Sequence, residues 1–239
     1  MPSNATDLPR HPYYPVHLEI PQYLPNQRDP MALVSIFATG CTAIASLTYL
    51  LVMRIRPRIS TADLWAVLWF VLCGCIHLSF GGYYAYNFRR MPMMQDVLGQ
   101  LWKEYSLADS RYQTQDAFVL CVECITAACW GPWSLILAAM IATDHSWRYP
   151  LQAVVSWAQL YADVLYYATR LFDFYMLGLE YSRPEKRIFF MNPLCIVIPG
   201  ILLYDSVKAT GRAFSALEKI EKTLMTNSNG ICHRVGLSK

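Results

Sequence analysis

The run FVLCVECITAACWGPWSLILAAMIAT, residues 118–143, contains one charged side chain, Glu123. Three other polar groups stand in similarly apolar surroundings: His77 in LWAVLWFVLCGCIHLSFGG, Asp163 in VVSWAQLYADVLYYAT and Asn192 in IFFMNPLCIVIPGILLY. An ionisable group near the centre of a membrane span costs on the order of 2.5–3.5 kcal/mol, so such groups are functional candidates by default. Asn192 is neutral but equally needs a partner. Trp69, Cys73, His77 and Gly81 follow i, i+4 steps, and Glu123, Thr126 and Trp130 follow i+3 and i+7 steps. If these two faces converge, a carboxyl, an imidazole, a hydroxyl and an amide line one aromatic-walled apolar cavity. Burial favours the neutral form of a carboxylic acid, which can then protonate a weakly basic carbon, and a nearby imidazole can relay or accept that proton. Plainer roles compete. His77 can serve as a helix–helix hydrogen-bonding residue, Asp163 can pair with the hydroxyls of Tyr161, Tyr166 or Tyr167, and Trp130 and Trp133 can be packing or interfacial residues.

The elements that must position these groups follow from composition. The 239 residues are 55% hydrophobic and only 15% charged, against about 25% charged in soluble domains. Apolar stretches occur at about 31–53, 64–88, 117–143, 150–170 and 188–208, each close to the roughly 17–25 residues of a spanning helix. The expectation is all-α: one domain over 1–239, with five transmembrane helices enclosing an intramembrane cavity. In lipid each backbone polar group is best satisfied within its own helix, which disfavours sheet. Residues 1–30 form a polar, proline-rich arm suited to the membrane surface, with no signal-peptide pattern, and 213–239 form a polar tail. RIRPR at 54–58 and the basic tail favour a lumenal N-terminus and a cytoplasmic C-terminus, although total Lys and Arg divide evenly between the two sides. Asn4-Ala5-Thr6 then reads as a possible glycosylation sequon.

Of the eight cysteines, Cys41, Cys73, Cys75, Cys121, Cys124, Cys129 and Cys195 fall inside these spans, where thiols act as small apolar packing groups. CVEC at 121–124 has redox or metal spacing, but its surroundings favour packing. No metal, cofactor or nucleic-acid partner is expected.

Several motifs together resemble the emopamil-binding protein family, the sterol Δ8–Δ7 isomerases of the endoplasmic reticulum, which carry the EXPERA domain. They are HPYYPVHL (11–18), CGCIHL (73–78), QLWKEYSLADSRY (100–112), CVECITAACWGPWSL (121–135), AQLYADVLY (158–166) and FFMNPLCIVIPGILLYDSVK (189–208). The resemblance implies a five-helix, multi-pass membrane protein with a lipid-accessible cavity that protonates a ring double bond and removes a proton elsewhere. It implies Glu123 and His77 as catalytic, with Thr126 and Asn192 shaping and polarising the cavity and Trp130 on its wall. Tyr105, Asp109, Arg111 and Tyr112 belong to the family's loop motif, as substrate-facing residues or as a structural ion pair.

Two positions depart from the pattern. Gly81 stands where the family has a second glutamate, and Cys195 where it has a tryptophan, so a larger and less anionic pocket is expected. The leading expectation is a diverged isomerase or cyclase acting by proton transfer on a hydrophobic sterol-like or terpenoid-derived polycycle in specialised biosynthesis. The alternatives are an ordinary sterol isomerase, or a non-catalytic protein that binds sterols or amphiphiles.

Overall fold

A computed structural model describes residues 11–182 and 193–236, with side chains through Thr226. Among the described residues every regular element is helical. Helix α1 (Pro30–Ile55) starts where Asp29 accepts from the backbone N–H groups of Met31 and Ala32, with Pro30 in the first turn where its missing N–H does no harm. Helix α2 (Thr61–Ile76), capped by Ser60, runs into a π-helical turn (His77–Gly81) and then α3 (Gly82–Asn87). A 3-10 turn (Phe88–Met93), α4 (Val97–Tyr105) and a second 3-10 turn (Ser110–Gln113) form the loop region between α3 and α5. Helix α5 (Ala117–Ile125) passes through another π-helical turn (Thr126–Trp130) into α6 (Gly131–Ala142). The long α7 (Arg148–Leu177) ends at Gly178, whose φ of 66° lies in the left-handed region that favours glycine, and α8 (Pro193–Gly236) completes the bundle.

Four helical stretches are long and apolar enough to cross a membrane: Pro30–Ile55, Thr61–Met93, Ala117–Ala142 and Pro193–Thr226. Helix α7, counted as a span in the sequence, is as long as the others but carries Arg148, Asp163, Arg170 and Asp173. It turns Gln152, Val155 and Ser156 inward and packs antiparallel along α8, where Gln152 donates to the Leu202 carbonyl at 3.0 Å.

The two ends of the bundle differ. At one, Asp63 meets Arg148 at 3.0 Å and Arg56 at 3.7 Å, while Asp144 lies 3.4 Å from Arg56 and 3.5 Å from Arg148. These charges tie the α1–α2 turn to the α6–α7 turn. At the other end the N-terminal arm folds onto α4. Tyr13 donates to the Lys103 carbonyl, Asn26 to the Gln100 carbonyl and the Glu104 carboxylate, and the Gln100 side-chain oxygen accepts from the N–H groups of Gln27 and Arg28. Tyr13 and Tyr23 of this arm pack with Ile20 and Leu107 in a small core of their own. The sequon at Asn4 lies outside the described residues.

Beneath the arm, Lys103 is fully buried and donates to the Leu24 carbonyl at 2.8 Å. Desolvation disfavours its ammonium form and lowers its pKa from 10.5 to about 8. Between those two values the unfolded chain holds a proton that the folded one has released, so this residue makes stability rise with pH across that window. Melting temperatures of the detergent-solubilised protein, measured from pH 8 to pH 10.5, should carry this upward contribution. Lys103→Met should remove it; a variant with the same pH dependence as wild type refutes the assignment.

Candidate active site

The two π-helical turns lie against each other, and both have local causes. In the first, Gly82 N–H reaches back to the His77 carbonyl, while the Ser79 hydroxyl takes the Cys75 carbonyl at 2.6 Å. In the second, Gly131 N–H reaches the Thr126 carbonyl just before Pro132, whose ring disfavours a regular α turn behind it. Single π turns inside α-helices are frequent at functional sites. The helices approach closely here: a Cβ on Gly131 would lie 2.9 Å from Leu78 Cγ and 3.4 Å from His77 Cβ.

Glu123 sits in the last turn of α5 and projects across this contact. A Cβ built on Gly81 would lie 2.7 Å from its Oε2, so the carboxylate occupies the space that any side chain at position 81 would need. Its Oε1 accepts a hydrogen bond from the Tyr112 hydroxyl at 3.1 Å. Thr126 donates its hydroxyl to the Glu123 backbone carbonyl at 3.0 Å and helps form the wall beside Gly81.

Tyr112 reaches Glu123 from the loop region, and an aromatic cluster fixes it there. Its ring stands 5.1 Å from Tyr84, 4.7 Å from Trp102 and 5.2 Å from Tyr105. Trp102 in turn stacks on Phe80 at 4.1 Å and donates its indole N–H to the Phe80 carbonyl at 3.0 Å. The loop helix thereby clamps the first π turn and supplies the phenol to the carboxylate emerging beside the second.

Asp109 and Arg111 orient this assembly. Asp109 accepts from the backbone N–H of Arg111 at 3.1 Å and pairs with its guanidinium at 2.7 Å, and both side chains are essentially inaccessible. Arg111 also donates to Thr169 of α7 at 3.0 Å and lies over the Tyr166 ring at 4.9 Å. Their polar atoms therefore meet each other and α7, and Tyr112 is the member of the loop motif that touches Glu123.

The sequence-selected residues are distributed unevenly around this centre. Glu123, Gly81, Thr126 and Tyr112 come together. His77 lies in the π turn that ends at Gly81, and its imidazole makes no hydrogen bond to Glu123. Trp130 packs edge-on against Trp133 at 6.0 Å. Asp163 lies near Cys195 and Cys73 on the side of the bundle formed by α2, α7 and α8. Asn192 lies outside the described residues. Among the described residues no cluster of three His, Cys, Asp or Glu side chains could hold a metal ion, and Cys121 and Cys124 are exposed. Sequence reading missed Tyr84, Phe80 and Trp102; the signal for Tyr84 was its place i+7 from His77.

Long apolar helices around a carboxyl group held by a phenol define an integral-membrane protein with an acid inside its helix bundle. Residues 97–206 match the EBP family, described as EXPERA (EXPanded EBP superfamily). The 3-beta-hydroxysteroid-Delta(8),Delta(7)-isomerase of Rattus norvegicus is 38% identical to this chain over 216 residues, covering 88% of it and 93% of the relative. The protoglabretal synthase of Ailanthus altissima is 25% identical over 81% of this chain and 89% of the relative. The isomeliandiol synthase of Melia azedarach is 37% identical over 44% of this chain and 50% of its own length. The chain belongs to the EBP family.

The buried pair yields a stability test. Asp109→Ala strands the Arg111 guanidinium and should destabilise the protein by about 3–5 kcal/mol. Asp109→Leu combined with Arg111→Met should recover most of that loss. Thermal unfolding followed by tryptophan fluorescence compares them; equal melting temperatures for Asp109→Ala and wild type would refute the structural role.

Proposed function

We propose that this protein is a membrane-embedded isomerase or cyclase that rearranges a hydrophobic sterol-like or terpenoid-derived polycycle by proton transfer. The observation that carries the reading is the Glu123 carboxyl group, set between two π turns, hydrogen-bonded by Tyr112 and facing Gly81. The family relatives support it, since the three compared with this chain are an isomerase and two synthases. Helix α7 serves as a fifth span, and the helices enclose a lipid-accessible cavity in the endoplasmic reticulum membrane. The N-terminal arm then lies on the lumenal side and the end of α8 on the cytoplasmic side, consistent with the opposite ends of the bundle at which they lie.

In this reading Glu123, as the acid, gives its proton to one carbon of a double bond. The carbon–hydrogen bond forms as the oxygen–hydrogen bond breaks, leaving a carbocation beside a carboxylate. Loss of a proton from a second carbon, to His77 or back to Glu123, closes the new double bond or ring. That His77 and Glu123 are not bonded to each other suits delivery and removal of protons at different carbons. Thr126, Trp130 and Asn192 shape the wall, and Tyr105, Asp109 and Arg111 support Tyr112.

Gly81 and Cys195 favour a substrate other than an ordinary sterol. The space at Gly81 is used by Glu123 itself, so the rebuilt site gives its acid freedom to move, and the space gained lies toward Cys195.

Glu123→Gln keeps the shape of the acid and removes its proton. It should lower product formation in microsomes by about 10²–10⁴-fold at equal protein levels, the usual worth of a general acid. Activity within a few-fold of wild type rejects the acid–base role. Because residues of one catalytic unit are non-additive, His77→Ala combined with Glu123→Gln should be little worse than Glu123→Gln alone.

Expression in cells lacking sterol Δ8–Δ7 isomerase, with sterol profiling, tests the substrate assignment. The unmodified protein should fail to rescue them, and robust rescue returns it to ordinary sterol metabolism. Gly81→Glu with Cys195→Trp should give weak rescue at best, because the new side chain must displace the Glu123 carboxylate while the indole overfills a repacked site.

A further inference from the structure

Tyr84 is wholly buried in α3, yet its hydroxyl has no hydrogen-bond partner. Buried hydroxyls are almost always satisfied, and an orphan one disfavours the folded state, so a Tyr kept where Phe would pack equally well requires an explanation. Its surroundings point to one. The ring stands edge-on to Tyr112 at 5.1 Å and lies 4.9 Å from Trp102, inside the cluster that carries the Tyr112–Glu123 hydrogen bond. Tyr84 is also one helical turn beyond Gly81, over which Glu123 Oε2 lies.

The carboxyl group is served unequally in its two states. As the neutral acid it accepts from Tyr112 at Oε1 and keeps its other oxygen for the proton that it will donate. Once its proton has gone to substrate it becomes an acceptor-only anion with two oxygens, and hydrogen bonds to an ion are about twice as strong as neutral ones. Gly81 presents no side chain that could block a swing of the carboxylate along the helix.

We propose that Tyr84 is a positioning residue for Glu123, its hydroxyl donating a second phenolic hydrogen bond to the carboxylate formed when the substrate is protonated. The Tyr84 O–H bond stays intact throughout. The proton that leaves Glu123 goes to the substrate carbon, and the contact relaxes when Glu123 is reprotonated. A donor idle in the resting state and engaged in the charged intermediate stabilises that intermediate selectively, which is the condition for accelerating the step. The inference rests on the proposed acid role of Glu123.

The spectroscopic part of the test requires no substrate. Infrared difference spectra of the full-length protein in detergent, recorded across pH, reveal the Glu123 carboxylate bands as those absent from Glu123→Gln. Tyr84→Phe should displace these bands while leaving the melting temperature unchanged or raised, since it deletes an unpartnered hydroxyl and keeps the ring. Tyr83→Phe is the control; its neighbouring hydroxyl is bonded to Asp96, so it should leave the bands in place. The proposal is overturned by unmoved bands in Tyr84→Phe, by equal displacement in Tyr83→Phe, or by a lowered melting temperature that marks the hydroxyl as structural. Absence of a Glu123 carboxylate band at every pH where the protein stays folded also overturns it. An active Glu123→Gln enzyme instead removes the acid role itself, whereas an inactive one with unmoved Tyr84→Phe bands removes only the role of Tyr84.

Discussion

The hydrogen bond from the Tyr112 hydroxyl to the Glu123 carboxylate is the contact on which the rest of the site depends. A carboxyl group inside an apolar bundle is held in place only by the few polar partners the fold brings to it. Here the partner arrives from outside the long apolar helices. Tyr112 lies in a 3-10 turn of the loop region, and delivering it to the bundle requires the loop to be fixed on several sides. The Asp109–Arg111 pair anchors the turn to Thr169 of α7, Trp102 anchors α4 to the first π turn, and the N-terminal arm packs on α4 from beyond. An arm, a loop and three helices thus converge on one oxygen atom.

The helices were legible in the sequence because lipid imposes a strong rule: long apolar runs must satisfy their own backbone, and 31–53, 64–88 and 117–143 fall within helical stretches. Helix α7 was legible as a helix, though its inward Gln152 and Ser156 and its Asp163 make it less apolar than the other long helices. Glu123 and His77 were legible as isolated ionisable groups. Their relationship was not, because a uniform 3.6-residue turn does not hold along these helices. The His77–Gly81 and Thr126–Trp130 turns are wider, so Gly81 comes under the Glu123 carboxylate while Trp130 packs on Trp133. Pro132 and the Gly81-Gly82 pair were visible local signals of irregularity, but neither specifies a π turn by itself. The Tyr112 contact was still harder to foresee, since no periodicity relates a loop residue to a helix face.

Gly81 illustrates how one position can be read differently in sequence and in space. A missing side chain suggests an enlarged pocket. The fold shows instead that the room above the glycine belongs to the acid on the neighbouring helix. Cys195 differs: it lies near Asp163 and Cys73, on the side of the bundle formed by α2, α7 and α8. The two departures from the family pattern therefore act on different walls. Gly81 lies under the Glu123 carboxyl group, and Cys195 lies beside Asp163 and Cys73.

This division bears on how an acid–base site can change substrates without losing its chemistry. Proton donation to a carbon needs an acid that is neutral at rest and tolerable as an anion for the lifetime of the cation. In the proposed reading both conditions are met by the cluster of Glu123, Tyr112, Trp102 and Tyr84, which is built from the loop and the helical turns that flank the two π turns. The same reading leaves the skeleton of the polycycle to be sensed elsewhere, by the apolar faces of α2, α7 and α8. Because the phenol that holds Glu123 comes from the loop and not from those apolar faces, the proposed reading lets residues there be exchanged for smaller ones while Glu123 keeps its geometry. In that reading one acid site can serve both isomerisation and ring closure, since the fate of the cation is decided by which of its carbons is held near a base.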